Sequence, residues 1–227
     1  MSLPRIASIV LPPRGRRAVV LCAGPSPAAA CLQDWLATAD LFLCTDAAGL
    51  PYDWIGRSPD VVVGDFDSLQ GRLPPPGPDY RHDPDQETTD AEKALRHALA
   101  DGCGEIVLLG AVGGRVDHSW YNCDLLLRYR RQASLALADD HGVTVPLGPG
   151  TPVRWDLPGG TVFSLLPHGG AARVTVEHAV YPLADAELAP GRLVSVSNRV
   201  TRPPLRITVH EGDVLATVLF PTRGVRP

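Results

Sequence analysis

Acidic residues collect directly behind the most apolar runs of this 227-residue chain. Asp46 follows LFLCT, and Asp65 and Asp67 follow VVVG in the run GDFDS. Asp90 opens a helical pattern, with Asp85 and Glu87 just before it, and Arg115 and Asp117 follow IVLLG in the run GAVGGRVDHSWYN. Converging carboxylates repel one another unless a cation holds them. A hard divalent ion with oxygen ligands, sharing its shell with substrate phosphates, is the natural one. D-x-D behind a strand suits such a site, since alternate residues of an extended segment point the same way. The competing reading of Asp65 and Asp67 is a turn that caps a following helix.

The neighbouring residues extend the theme towards phosphate chemistry. GAVGG is neither of the standard glycine-rich nucleotide fingerprints. Gly113 and Gly114, just before a helix, can still present backbone N–H groups to a phosphate, or simply form a tight turn. Arg115 can add a bidentate contact to phosphate oxygens. Lys93 is the only lysine in the chain and lies three positions after Asp90, on the same helix face. It is either half of a solvent-facing Asp-Lys pair or a phosphate-facing ammonium. His118 is a general base or a helix-start residue bonded to backbone.

These groups need elements to place them at one edge. Short apolar runs at residues 17–23, 41–45, 61–63, 105–109 and 134–138 read as strands, alternating with helical patterns at 27–38, 89–100 and 118–129. Near-continuous apolar strands alternating with helices predict a parallel sheet covered on both faces. All the acids then emerge at the carboxyl ends of the strands, where open α/β sheets bind ligands. After about residue 140 the pattern changes. Strand-like runs at 153–157, 161–166, 173–178, 205–210 and 214–220 are punctuated by Gly and Pro with no useful amphipathic helix, which predicts an antiparallel sandwich or barrel-like module. The expected organisation is an α/β domain over residues 1–140 and an all-β domain over 141–227, with the proline-rich run at 73–78 a stiff loop inside the first.

Composition narrows the classes. With 44% hydrophobic and 20% charged residues the chain is an ordinary globular protein. A net charge of -4 argues against a general nucleic-acid or anionic-membrane binder. The five cysteines form no C-x-x-C pair and read as small buried residues in a reducing compartment. The apolar stretch near the N-terminus is broken by Arg5, Pro12 and Pro13, and no run approaches a membrane span. A soluble, cytoplasmic protein is expected, with its four tryptophans in the core.

Taken together, Asp46, GDFDS, DQETTDAEKAL, GGRVDHSWYN, VYPL and SVSN, in that order from about Cys22 onward, resemble the thiamin pyrophosphokinase family. The resemblance implies a Rossmann-like N-terminal α/β domain that binds nucleotide, a C-terminal β-sandwich that binds the acceptor, and a homodimer with active sites at its interface. It implies transfer of the pyrophosphoryl group of ATP to the hydroxyl of thiamin, with magnesium and release of AMP. By carry-over, Asp65, Asp67 and Asp90 are the magnesium and catalytic acids, joined in catalysis by Arg115 and Asp117. Asp46, Lys93, Gly113, Gly114, Arg115, His118 and Asn122 are the ATP-binding candidates, and Ser195, Ser197 and Asn198 of the S-x-SN run face the acceptor. The chain departs from the family where Asp46-Ala47-Ala48 replaces DGG, Glu87 replaces an Asp, VEHAVYPL replaces a run with GLKYPL, and Ala216 stands where some members carry an aromatic. Another small alcohol such as a hydroxymethyl-pterin, or a non-catalytic nucleotide-binding module on the same fold, are the competing expectations.

Overall fold

The computed structural model describes residues 10–11, 14–46, 48, 50, 52–67, 76–150 and 152–220. Residues 1–9, Ala47, Ser68 and the first half of the proline-rich loop (73–75) lie outside them. The chain divides into two compact units, one spanning Pro13–Asp140 and the other containing His141–Pro227 together with Val10 and Leu11.

In the first unit the strands are β1 (Arg16–Leu21), β2 (Leu41–Thr45), β3 (Val61–Gly64), β4 (Asp79–His82), β5 (Cys103–Leu109) and β6 (Ser134–Ala138). The helices are α1 (Ala29–Leu36), α2 (Asp90–Ala100) and α3 (Val116–Tyr129). The sheet order is β6-β5-β1-β2-β3-β4, and every pairing is parallel. Strands β2, β3 and β6 are buried at every residue, which is why they are legible as unbroken apolar runs. β4 (DYRH) escapes that reading because it is a short, polar edge strand without the apolar pattern.

Strand order reverses at β1. From β1 the chain steps outward through β2, β3 and β4, then returns through α2, which packs on β1, β2, β3 and β5, to lay β5 on the other side of β1. β1 and β5 stay bonded one step past their ends, Cys22 N–H donating to Leu109 O at 2.8 Å and Gly24 N–H to Gly110 O at 3.0 Å. Two glycines make that approach feasible. A Cβ on Gly24 would lie 2.2 Å from Gly110 O, and Gly110 itself sits at φ +62° with Cys22 O 2.7 Å from where its Cβ would be.

The second unit is antiparallel throughout. β7 (Gly142–Leu147), β9 (Val162–Pro167), β12 (Ser195–Arg199) and β14 (Val214–Leu219) form one sheet in the order β12-β9-β14-β7. β8 (Val153–Trp155), β10 (Ala172–Glu177), β11 (Leu183–Leu188) and β13 (Leu205–Glu211) form the other in the order β11-β10-β13-β8. Alternate residues of β9, β10 and β13 are buried, so Phe163, Leu165, Val174, Val176, Ile207 and Val209 supply core while their neighbours stay part-exposed. β11 and β12 are mostly exposed edge strands, which is why their sequences carry no clear strand signal.

β12 is anchored from inside by Asn198, only 1% exposed. Its Oδ1 accepts from the N–H of Tyr181 (3.1 Å) and of Arg199 (2.8 Å), while Nδ2 donates to Tyr181 O (2.8 Å) and to Ser195 Oγ (3.4 Å). The side chain thus ties the SVSN strand to the preceding VYPL segment.

Two outcomes follow for stability. Gly24→Ala forces β1 and β5 apart at the reversal and lowers unfolding free energy by about 1–3 kcal/mol in urea titration. Asn198→Ala strips the polar partners from a buried segment and lowers it by about 2–4 kcal/mol in the same measurement. An unchanged urea midpoint in either variant contradicts the role assigned to that residue.

Candidate active site

The reversal of strand order opens a cleft of about 420 Å³ in the first unit. Its walls are the turn after β1 (residues 22–25), the loop after β5 (110–112 and 114), Thr45, the start of α2 (residues 89–91), and Arg115, His118, Ser119 and Asn122 at the start of α3. This is the carboxyl edge of the parallel strands at their switch point, the position at which open α/β sheets take ligands. The glycine contacts bring the two loops together, and Gly24 is a site-forming residue that the strand pattern alone does not single out. Cys22 on the wall is inert, because burial, and then the charge of Asp90, push its thiol up to about 12.

Asp90 is the acid that lines the cleft, and it feels Asp65 and Asp46 from two other segments outside the lining. Asp46, at the end of β2, is 9% exposed and held at φ +45°. Its Oδ1 is buried without a hydrogen-bond partner among the described residues. A non-glycine residue in the left-handed region costs about 1–3 kcal/mol, and a lone buried carboxylate oxygen adds to that, so Asp46 is held in this position at a cost. Asp90 lies at the cleft, half-buried, and its carboxyl is raised above the ordinary range. Burial is the main cause, Asp65 and Asp46 add repulsion, and Lys93 acts against both. Lys93 is not solvent-facing: it is 2% exposed, with Nζ 3.2 Å from Asp90 Oδ1. The one ammonium side chain of the protein is therefore a fixed counter-charge beneath the acids.

GDFDS differs from the extended D-x-D expected. Phe66 turns to φ +61° and its ring packs edge-on against Tyr80, with centroids 5.8 Å apart. The turn lets Asp65 Oδ1 accept the backbone N–H of Asp67 at 3.1 Å, while Oδ2 accepts from Gln86 at 3.3 Å. These bonds hold the Asp65 carboxyl below its usual range, and they tether its position; Asp67 is exposed. Asp85 behaves as a loop-former, accepting from Glu87 N–H and Thr88 Oγ1, both at 2.9 Å, and Glu87 is exposed. Among the described residues, no three carboxylate, imidazole or thiol groups converge closely enough to hold a metal ion by themselves.

At the start of α3, Arg115 and Asp117 form an exposed bidentate pair, Nε to Oδ1 at 3.1 Å and Nη2 to Oδ2 at 2.5 Å. The guanidinium, with help from the His118 N–H, holds the Asp117 carboxyl down at about 2. Arg115 occupies the N-cap position but makes no side-chain cap; Asp117 Oδ1 accepts the His118 N–H at 3.0 Å, and the remaining N–H groups of the helix start keep capacity for an anion. Gly114 lines the cleft against Pro25, whereas Gly113, at φ +88°, makes the turn and is not part of the lining. Asn122, 4% exposed, donates to Ala111 O at 2.6 Å and so braces the loop; its Oδ1 is buried without a partner among the described residues.

Glu92 is a buried residue that the motifs did not flag. Thr89 and Glu92 have capping-box spacing, and Thr89 Oγ1 accepts the Glu92 N–H at 3.4 Å. The Glu92 carboxylate instead reaches α3, where Tyr121, Tyr129 and Arg128 donate to it. Burial pushes its carboxyl up, but those three donors outweigh it and hold the group lowered. Only the pairing of a helical acid with tyrosines one and three turns along a second helix could have signalled this, and no local pattern does.

In the second unit, Asn198 is committed to the backbone bonds described above and offers little to a ligand. Ser195 is half-buried and accepts from Asn198; Ser197 is exposed at φ +57°, its N–H donating to Ser164 Oγ at 3.0 Å. Ala216 is 1% exposed on the core face of β14, so it leaves no gap on an open surface.

Comparison with known proteins bears directly on this arrangement. Residues 32–137 match the family model for the catalytic domain of thiamin pyrophosphokinase, and residues 151–214 match the model for its vitamin B1 binding domain. The chain is 32% identical over 187 residues to thiamine pyrophosphokinase 1 of Arabidopsis thaliana, covering 74% of this chain and 67% of that one. It is 29% identical over 176 residues to thiamine pyrophosphokinase 1 of Oryza sativa subsp. japonica, covering 70% and 66%. The chain thus spans about two thirds of the length of these plant relatives. Its fold is that of thiamine pyrophosphokinase from Bacillus subtilis, with a TM-score of 0.76 at 20% identity over 91% of this chain and all of the other. The yeast enzyme gives 0.74 at 17% identity over 95% of this chain and 90% of that one. Both domains matched in chain order, and a relative sharing nearly a third of its aligned residues, place this chain in the thiamin pyrophosphokinase family of ATP-dependent diphosphotransferases.

Proposed function

We propose that this protein transfers the pyrophosphoryl group of ATP to the hydroxyl of thiamin, giving thiamin diphosphate and AMP. The observation that carries the reading is the switch-point cleft, which sets the half-buried Asp90 and the uncapped helix start at Arg115 around one space in a chain of this family. In this reading the first unit is a Rossmann-like nucleotide-binding domain and the second binds the acceptor through Ser195 and Ser197. Asn198 serves that surface as the anchor of its strand. The exposed apolar side chains of Val180, Tyr181, Leu193, Val194 and Val196 then support a homodimer built on the β12 edge. The cysteines are free and four of the five are buried, in keeping with the reducing cytoplasm; no helix among the described residues is long and apolar enough to cross a membrane.

Magnesium fits the acids present. Asp46 has an unpartnered buried oxygen, and Asp90 is pushed towards protonation by burial and then by Asp65 and Asp46, so a hard cation would stabilise the charged forms of these acids. Asp65, Asp67 and Asp90 are the proposed ligands, with Asp46 as a fourth acid, and ATP phosphates complete the shell that the protein alone does not. Bound with ATP, magnesium supplies neutralisation of the phosphate charge. The protein's own part is positioning. Lys93 fixes Asp90, the α3 N–H groups and Arg115 receive charge that develops on the transferred group, and Asn122 holds the loop beneath it. The acceptor oxygen bonds to the β-phosphorus as the bond to the AMP oxygen breaks, and the hydroxyl proton passes to water. Asp117 orients Arg115; at about 2 its carboxyl is too weak a base to take that proton.

AMP release with ATP, magnesium and a panel of alcohols tests the reading. Turnover is expected with thiamin. Release only with a hydroxymethyl-pterin would reassign the acceptor, and none with any alcohol would leave a binding module. Arg115→Lys is expected to lower kcat/KM at least about tenfold, or about 1.4 kcal/mol, since an ammonium cannot grip two oxygens at once. Its Tm should hold, because the Arg115 side chain is 73% exposed. Asp117→Asn should slow turnover without moving the acid limb of the pH profile, because a group titrating near 2 is ionised throughout the working range. A shift of that limb in Asp117→Asn would make Asp117 the base.

A further inference from the structure

Glu92 lies two residues after Asp90 and is 3% exposed. Its carboxylate accepts from Tyr121 Oη, from Tyr129 Oη at 2.6 Å, and from Arg128 Nη1, which lies 3.0 Å from both carboxylate oxygens. The Arg128 guanidinium also sits 5.4 Å from the centre of the Tyr121 ring. Positions 121, 128 and 129 fall on one face of α3, so a single carboxylate of α2 is held by one stripe of the other helix.

The two helices otherwise rest on different strands, α2 on β1, β2, β3 and β5, and α3 on β6. Each brings a different wall to the cleft. α2 carries Asp90 with Lys93 beneath it, and α3 starts from Arg115 and carries Asn122, next in the chain to Tyr121. Apolar packing tolerates sliding between helices, whereas three directional donors on one carboxylate fix both translation and rotation. Stability does not by itself account for such a cluster: well-packed apolar residues of similar volume often serve as well as buried ionic groups, or better. We infer that Glu92 is a positioning residue whose bonds to Tyr121, Arg128 and Tyr129 set the spacing between the two helix ends that hold the nucleotide phosphates. The inference rests on the reading of the cleft as the ATP site.

Glu92→Gln keeps the volume and removes the charge, and Tyr129→Phe removes one donor and keeps the ring. For each, calorimetric affinity for a non-hydrolysable ATP analogue with magnesium and kcat/KM for AMP release are measured per folded molecule, well below the Tm. The expected result is at least about fivefold weaker analogue binding and about tenfold lower kcat/KM in Glu92→Gln, with smaller losses of the same kind in Tyr129→Phe. A triple replacement, Glu92→Met with Tyr121→Phe and Tyr129→Phe, chosen to recover the parental Tm, should leave both losses in place. Parental affinity and kcat/KM per folded molecule in Glu92→Gln and Tyr129→Phe, or their recovery along with Tm in the triple variant, would overturn the inference, because a merely structural cluster moves only stability. A parent chain that binds the analogue but releases no AMP with thiamin removes the acceptor reading, and the clamp is then decided by analogue affinity alone. A parent that binds no nucleotide overturns both.

Discussion

Charge balance at the carboxyl edge of the first sheet constrains everything around it. Asp46, Asp65 and Asp90 come from three separate segments, and Asp90 is raised first by its burial and then by the other two acids, in spite of a lysine 3.2 Å away. Burying that lysine almost completely is costly in its own right, since an ammonium loses more on leaving water than a single ion pair returns. Asp90 is the partner that offsets part of that cost. Acids and lysine therefore constrain one another at a single edge, and the loops of that edge hold them there.

The shape of that edge depends on backbone more than on side chains. β1 and β5 run together past their ends because neither Gly24 nor Gly110 carries a Cβ, and the two loops then part to form the cleft. Asp46 and Phe66 take left-handed conformations that ordinary residues avoid, in each case within a residue or two of a strand end carrying an acid. Among the described residues of the first unit both left-handed non-glycine residues lie at this edge, while β2, β3 and β6 behind it are uniformly buried.

What could be read from the sequence follows from this division. Fully buried parallel strands announce themselves as apolar runs, and acids placed directly behind them mark the edge; β2 and β6 fall where those runs predict. Polar edge strands such as β4, β11 and β12 carry no such pattern, because half their neighbours are solvent. Relationships between distant segments were illegible for a different reason. That Glu92 answers to residues on α3, that Asn198 is wholly engaged by the VYPL segment, and that Lys93 is buried all depend on which elements meet, and no local spacing encodes it. The D-x-D motif was legible as an acid pair but not as a turn, because Phe66 at its centre packs against Tyr80 of another strand, a contact no local spacing reveals. Arg115 and Asp117 were visible only as two separate candidates; that they form a bidentate pair is seen in the fold alone.

The burial of Lys93 has a consequence for the chemistry of the surface. Every other basic side chain is an arginine or a histidine, so the exterior offers no side-chain primary amine. Acylating reagents that decorate most proteins at many exposed lysines would find, apart from a terminal α-amine, one internal side-chain target, reached when α2 opens locally. Acylation at that position thus becomes a clock for local opening of α2, and a ligand that seals the cleft would slow it.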